Sequence, residues 1–410
     1  MTRPPGWRIV GGGGMSERLL FLSNLFPDAS EPIRGLDNAT LLQALIDAEG
    51  WDVRSLALRP RLSLRAPGTL SDLAPRAGDE RLGPEYVGIR YLPKVGSRWN
   101  DGLVAADLAP AFARTVAAWR PDIVLASWLY PDGCAAATLC QQAGLPLVLI
   151  TQGTDTHGYL RDPVRRRKIV QAVAASRATI CRSADLGRLL VGAGAPPERL
   201  KTVYNGVDTA IFRLRDRQEA RREVGIDPEG PVLLFVGNLL PVKNPLFLIR
   251  AVAGVNRQRR SAGLAPARLY LIGDGPMRPT VTREIADQDM ATTVTLLGRR
   301  PPVEVAAWMA AADRLCLTSH NEGFPNVILE ALACGLPVVS TRVGGIGEKI
   351  DRPACGQLVT PGDEAAYEAA LLAALADPSS RESLTDGDPG WPAAARAYGE
   401  ILRTARLAVG

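Results

Sequence analysis

The sequence predicts an α/β protein built from two doubly wound, Rossmann-like domains that face each other across a cleft. Three observations carry this. The chain has 410 residues, more than one hydrophobic core ordinarily organises, so two domains are expected. Short apolar runs alternate with longer helical patterns, which implies strand–helix units and parallel sheets. A polar, charged stretch, Asp208–Gly230, separates two series of such units.

In the first series the expected strands are Leu19–Ser23, Asp52–Ala57, Ile89–Leu92, Ile123–Ser127, Leu147–Thr151, Ala178–Cys181 and Thr202–Tyr204. The second series has Val232–Val236, Leu269–Ile272, Val294–Leu297, Arg314–Thr318, Val338–Ser340 and Gln357–Val359. Many are apolar throughout, as strands covered on both faces should be. The expected division is a tail over 1–14, domains over 15–208 and 209–390, and a closing helix over 391–410 that packs back on the first domain. The tail holds two Arg, two Pro and four consecutive Gly. That Gly run precedes the first strand rather than following it, so it does not read as a phosphate loop.

Composition narrows the function. A hydrophobic content of 46% with 22% charged residues is that of a soluble globular protein. The six Cys form no CxxC pair and there are only two His, which argues against a Cys/His metal site and for reduced thiols. No apolar run approaches a membrane span and the N-terminus lacks a signal-peptide core, so a cytoplasmic protein is expected. A net charge of +5 and 5% aromatic residues, without a basic stripe, do not indicate nucleic acid. Arg165-Arg-Arg-Lys168 is the sharpest basic run. It reads either as a solvated helix face or, beside an acceptor cleft, as a contact for anionic lipid headgroups at the inner membrane face.

The chemistry concentrates in Glu322-Gly-Phe-Pro-Asn-Val-Ile-Leu-Glu330. Pro325 suits a first helical position and Gly335 a stop, which puts Glu322 in the loop before a helix and Glu330 on it, on the face of Asn326. The amides of Asn326 and Val327 at that helix start favour an anion, and the two carboxylates suit hydroxyls. A nucleotide sugar offers both. Two Glu on a helix also read as a solvated face, but Phe324 has no place at an exposed helix start.

Other loops follow strands. Gly237-Asn238 and then Lys243, after Val232–Val236, form a diphosphate grip or an exposed loop. Gly273-Asp274 is a tight turn or a place where backbone approaches a ligand closely. In the first domain, Gly153-Thr-Asp155-Thr-His157 carries a carboxylate and an imidazole able to bind a hydroxyl or act as base. Arg34-Gly35, after the first strand, is placed to lie against a diphosphate.

Taken in order, these residues resemble the family 4 glycosyltransferases, retaining enzymes of GT-B architecture. The resemblance runs from Met15 to the last helix. Its markers are Glu322-x7-Glu330, Ala331-Leu-Ala-Cys-Gly-Leu-Pro-Val338, Val343-Gly-Gly345, Asn205-Gly-Val-Asp208, Gly273-Asp-Gly-Pro276, and Trp128-Leu-Tyr-Pro-Asp-Gly133 ahead of Gly153-Thr-Asp155. It implies a nucleoside diphosphate donor, UDP or GDP, in the second domain. The acceptor in the first would be a glycan, lipid-linked sugar or small molecule, with no cofactor and no obligatory metal. It assigns Glu330 to the ribose hydroxyls, Glu322 to the donor sugar and Lys243 to the diphosphate. The chain departs from the pattern at Asn238, where many members have Arg, and at Gln152, where many have His. Rival readings are a sugar-nucleotide epimerase, a pyridoxal-phosphate phosphorylase on the same frame, or a non-catalytic subunit that binds nucleotide sugar.

Overall fold

A computed structural model describes residues 16–62, 68–93, 95–226, 230–376, 384, 385 and 387–407; the tail expected over 1–14 lies outside them. The first sheet holds β1 (Arg18–Ser23), β2 (Asp52–Arg61), β3 (Gly68–Thr69), β4 (Pro84–Arg90), β5 (Ile123–Ser127), β6 (Leu147–Ile150), β7 (Ala178–Cys181) and β8 (Leu200–Thr202). The second holds β9 (Val232–Val236), β10 (Arg268–Ile272), β11 (Val294–Gly298), β12 (Arg314–Leu317), β13 (Val338–Thr341) and β14 (Gly356–Val359).

Strand order is β3-β4-β2-β1-β5-β6-β7-β8 in one sheet and β11-β10-β9-β12-β13-β14 in the other. Every pairing is parallel except the short β3 against β4. Helices cover both faces, which is why β5, β6, β7, β12 and β13 are buried end to end. Each sheet therefore sits between two apolar clusters, one around Leu20 and Val124 with its counterpart around Phe21 and Leu125, the other pair around Leu234 and Leu233.

In each sheet the chain winds outward from a first strand and then returns to its other side. The reversal falls between β1 and β5, and between β9 and β12. Loops leaving two such strands diverge and open a crevice at their carboxyl ends, the usual place for a ligand in this kind of sheet. The loops concerned are 24–35 and 128–133 in one domain, and 237–244 and 318–325 in the other.

Three strands depart from their expected spans by two residues or more, β2 running past Ala57 to Arg61, and β3 was not expected. Leu200–Thr202 replaces Thr202–Tyr204, because Tyr204 leaves the sheet to join the link between domains. Pro84–Arg90 replaces Ile89–Leu92; Pro84 is tolerated as the first residue of a strand, and the polar ends Glu85 and Arg90 hide the run in the sequence. The closing helix Trp391–Leu407 packs on helix Leu36–Glu49, burying Tyr398, Leu402 and Ala405 against Leu41 and Leu45. Arg403 fixes it with ion pairs to Glu49 at 2.6 Å and Glu17 at 2.8 Å. The two crossings between domains touch, Val207 N–H donating to Pro389 O at 2.8 Å. A Cβ on Gly206 would lie 2.4 Å from Trp391 Cα, so that close crossing needs glycine.

Candidate active site

The loop after β12 carries Glu322, and the loop after β9 carries Lys243. They meet at the reversal point as a 2.5 Å ion pair, with the carboxylate only 10% exposed. Ser319 Oγ donates to the same Glu322 oxygen at 2.6 Å. Thr318 Oγ1 donates to the carbonyls of Lys243 and Asn244 at 3.1 and 3.0 Å, which ties the lysine loop to the end of β12. Asn244 takes a left-handed conformation there, φ 49°. The loops after β9 and β10 are also locked together. Gly237 N–H donates to Ile272 O, Leu239 N–H donates to Asp274 O, and a Cβ on Gly273 (φ +135°) would lie 1.9 Å from Gly237 O.

Helix Asn326–Ala333 follows Glu322. Pro325 was expected as its first residue; with ψ 118° it is instead the cap, and Asn326 is first. The stop at Gly335 (φ 67°) is the complete left-handed motif, with Leu336 N–H to Ala331 O and Gly335 N–H to Leu332 O. At the start, the amides of Asn326 and Val327 have no acceptor among the described residues, and Ile328 N–H uses Pro325 O. Glu330 lies one turn along. Its carboxylate has no partner among the described residues, and burial pushes its pKa up to about 7.

Other expected donor-side residues are spent on structure. Phe324 packs its ring edge on Tyr204 of the interdomain link, centroids 5.3 Å apart. Asn326 Oδ1 accepts from Asn205 Nδ2 at 2.8 Å. Asp274 accepts from its neighbour's amide at 2.8 Å and lies 3.7 Å from Arg278. Arg300, near the end of β11, pairs with Glu304 at 3.6 Å.

The first domain meets this site through backbone. Gly153 and Gly323 pack so closely that a Cβ on Gly323 would lie 2.8 Å from Gly153 Cα. Ser183 Oγ donates to Gly323 O at 3.3 Å, and Gly345 N–H to the same carbonyl at 3.1 Å. Glu348 binds the amides of Ala184 and Asp185 at 2.8 and 2.7 Å and the Tyr204 hydroxyl at 2.8 Å. Nothing local in the sequence marks Glu348, Ser319 or Thr318 as parts of the site, because each acts through residues distant along the chain.

Asp155, expected as catalytic, is held by backbone amides. It is fully buried and accepts from the amides of Leu129, Gln152 and Gly153 at 2.8–3.1 Å, which leaves no open face for a substrate. Burial raises its pKa against those donors. Gln152 is spent too: it donates to Asn38 and Ser127 and accepts from Arg182 at 2.7 Å. Arg182 also pairs with Asp37. Arg34 donates to Asn24 O at 2.8 Å and Glu31 at 3.0 Å, while Gly35 (φ +59°) packs on the Leu25 backbone.

Several first-domain groups keep spare capacity, among them His157, Asp132 and Arg182, whose Nε is buried without a hydrogen bond. His157 Nε2 is buried without a hydrogen bond, 3.4 Å from an Asp185 oxygen, and burial lowers its pKa. Asp132 accepts twice from Asn24 through one oxygen, at 2.6 and 2.8 Å, and its other oxygen is buried without a partner. Burial brings its pKa up to about 7. Asp132 follows β5 at the reversal point, inside the Trp128–Gly133 marker, a position the sequence flagged without assigning.

The basic run faces inward more than expected. Arg165 lies over the rings of Tyr159 and Tyr130 at 4.4 and 5.5 Å, Arg166 bonds the carbonyls of Ala193 and Gly192, and Lys168 pairs with Asp101. Only Arg167 of the four has no partner among the described residues. No described helix is long and apolar enough to cross a membrane. Among the described residues no three His, Cys, Asp or Glu side chains converge as metal ligands would.

Two reversal-point crevices meeting loop to loop define a two-domain GT-B architecture. Residues 37–211 match Glycosyltransferase Family 4, and residues 216–388 match Glycosyl transferases group 1. The chain is 34% identical over 377 residues to a D-inositol 3-phosphate glycosyltransferase of Acidothermus cellulolyticus, covering 83% of this chain and 81% of that one. It therefore belongs to the family 4 glycosyltransferases. A Thermobispora bispora protein of the same name is 35% identical, but the match spans only 52% of this chain and 52% of the relative. Bacillus anthracis N-acetyl-alpha-D-glucosaminyl L-malate synthase is 30% identical, covering 63% and 66%. Among solved structures, sucrose-phosphate synthase of Thermosynechococcus elongatus superposes with TM-score 0.74 at 19% identity, over 95% of this chain and 98% of that one. Anabaena HepE in complex with UDP-glucose does so with TM-score 0.65 at 20% identity, over 95% and 98%. At these identities the structures speak for the fold.

Proposed function

We propose that the protein transfers a sugar, with retention and without a metal, from a uridine or guanosine diphosphate donor in its second domain to a small hydroxyl-bearing acceptor in its first. The observation that carries the reading is the Lys243–Glu322 pair set beside the unspent amides of Asn326 and Val327 and the unpaired Glu330 carboxylate. A diphosphate beside Lys243 competes with Glu322 for the ammonium and meets the amides of Asn326 and Val327. Glu322, released from the lysine, accepts from the sugar hydroxyls. Glu330 accepts from the ribose hydroxyls, which gives its buried charge the hydrogen bonds it otherwise lacks. Lys243 and the helix-start amides then neutralise the leaving phosphate.

The same inventory is compatible with the retention that the family resemblance implies. Glu322 is paired with Lys243, Asp155 is filled by amides, and Glu348 is bound to Ala184, Asp185 and Tyr204. Asp155 and Glu348 are thus not free as nucleophiles behind the anomeric carbon, and Glu322 is assigned to the sugar hydroxyls. In a retaining transfer the acceptor hydroxyl attacks from the face the diphosphate leaves, and the departing phosphate oxygen takes its proton. The relatives' names speak of inositol phosphate and malate, which favours a small anionic acceptor over a long glycan or lipid-linked sugar.

Transfer assays with UDP- and GDP-sugars test this. Glu330→Ala is expected to raise the donor KM roughly tenfold or more, the cost of losing charge-assisted hydrogen bonds. Glu322→Ala is expected to lower kcat about a hundredfold. Wild-type kinetics in both variants would overturn the assignment. Donor alone separates the rivals: an epimerase changes the sugar, and a non-catalytic subunit binds donor but never transfers it. A pyridoxal-phosphate phosphorylase would need free phosphate and show cofactor absorbance.

A further inference from the structure

A second recess lies at the far end of the first domain, where β6 and β7 begin, opposite the strand ends that carry Gln152 and Arg182. It is a cavity of about 520 Å³, within the range of small-molecule sites. Ala137, Leu145 and Leu147 give it apolar wall, and Arg177, Arg199 and Arg406 line it from three separate elements. No acidic residue lines it.

Two of the three charges there have no carboxylate partner among the described residues. Arg177 has no side-chain partner among the described residues, and Arg199 reaches only the Arg177 carbonyl, at 3.3 Å. Arg406 pairs with Glu17 at 2.9 Å and lies 3.9 Å from Asp122, yet its Nε is buried without a hydrogen bond. The bland account is that Arg177 and Arg199 offset the negative ends of helices Cys134–Ala143 and Pro163–Ala175. Each helix end is worth about half a charge, so two of them balance one arginine and leave the other. Backbone donors are spent: the amides of Gly144, Leu145, Ser176 and Arg177 all bond neighbouring carbonyls. The guanidinium forks, which suit phosphate oxygens in pairs, are what this cavity offers a ligand.

We propose that this cavity binds a phosphorylated small molecule, its phosphate held by Arg177, Arg199 and Arg406 and its body against the apolar wall. The site is separate from the donor cleft and goes beyond the transfer reaction. Because Arg406 belongs to the closing helix, a phosphate here ties that helix to the first sheet.

Thermal shift with a hexose monophosphate, against the unphosphorylated hexose at fixed chloride ionic strength, tests it. The ester is expected to raise Tm dose-dependently in the wild type and equally in Lys243→Ala, which disables the donor site. Arg177→Gln is expected to weaken that response roughly tenfold or more. Arg177→Gln with Arg199→Gln is expected to abolish it. Arg177 has no described side-chain partner, so the single variant is expected to keep its fold, checked by circular dichroism. No wild-type response to any phosphate source, or an unchanged response in Arg177→Gln, overturns the proposal. A response lost in Lys243→Ala overturns it too, because the ester then sits in the donor cleft. Vesicles of phosphatidic acid and phosphatidylcholine in equal parts sort the source of the phosphate. Arg177-dependent sedimentation with them, without a response to the soluble ester, keeps the anion site and assigns it to a headgroup.

Discussion

The two loops that meet across the cleft treat their polar groups in opposite ways. Around Gly153 nearly every donor and acceptor is spent: Asp155 on three amides, Gln152 on Asn38, Ser127 and Arg182. Around helix Asn326–Ala333 the Glu330 carboxylate and the first amides are unspent. These groups are partly buried, and polar groups without protein partners are left to water or to a ligand. The second domain therefore presents chemistry to a ligand, whereas the first presents mainly a backbone wall, with His157, Asp132 and the Arg182 Nε among its exceptions.

The comparison breaks if Asp155 proves dispensable. Asp155→Ala strips a buried carboxylate from three amides and is expected to cost about 3–5 kcal/mol of stability, measured by urea unfolding. An exposed catalytic base would instead lose activity at nearly unchanged stability. Glu322→Ala is the mirror case, with kcat falling about a hundredfold, near 3 kcal/mol in the barrier, while the midpoint of unfolding moves little.

Glu330 sharpens the same contrast through pH. Its pKa is raised from 4.5 to about 7, so between those values the folded state holds a proton that the unfolded state has lost. Stability from this group is full below about pH 4.5 and is lost as pH rises through 7. Glu330→Gln is therefore expected to match the wild type near pH 4.5 and to exceed it above pH 7, in unfolding experiments across that window. Donor binding runs the other way. Ribose hydroxyls donate to the ionised carboxylate, so wild-type affinity is expected to rise as pH climbs through about 7, with proton release visible by calorimetry in buffers of different ionisation heat.

Much of this was legible in sequence. Strands such as Ile123–Ser127 and Val232–Val236 are continuous apolar runs because both faces are covered, so burial itself writes their limits. Pro84–Arg90 was harder, since polar ends blur the run. The Glu322–Glu330 spacing and the Gly335 stop follow local rules and were readable. The roles of Asp155, Gln152 and Glu348 were not, because each is decided by amides and side chains brought up from elsewhere. A carboxylate in a strand-end loop looks the same in sequence whether it faces a substrate or its own backbone.

The smallest effect concerns the basic run. A charge cluster free to meet lipid would leave stability untouched when truncated, yet Arg165 covers two tyrosine rings from the interior side of its helix. Arg165→Ala is therefore expected to lose about 1 kcal/mol of stability, the worth of a partly buried cation–ring contact. Arg167→Ala, one turn face away and without a described partner, is expected to lose none. Urea unfolding of the pair reads this directly. Equal stability of the two variants would mean that Arg165 is as solvated as Arg167, and the first domain would then keep more unspent charge at its surface than its packing indicates.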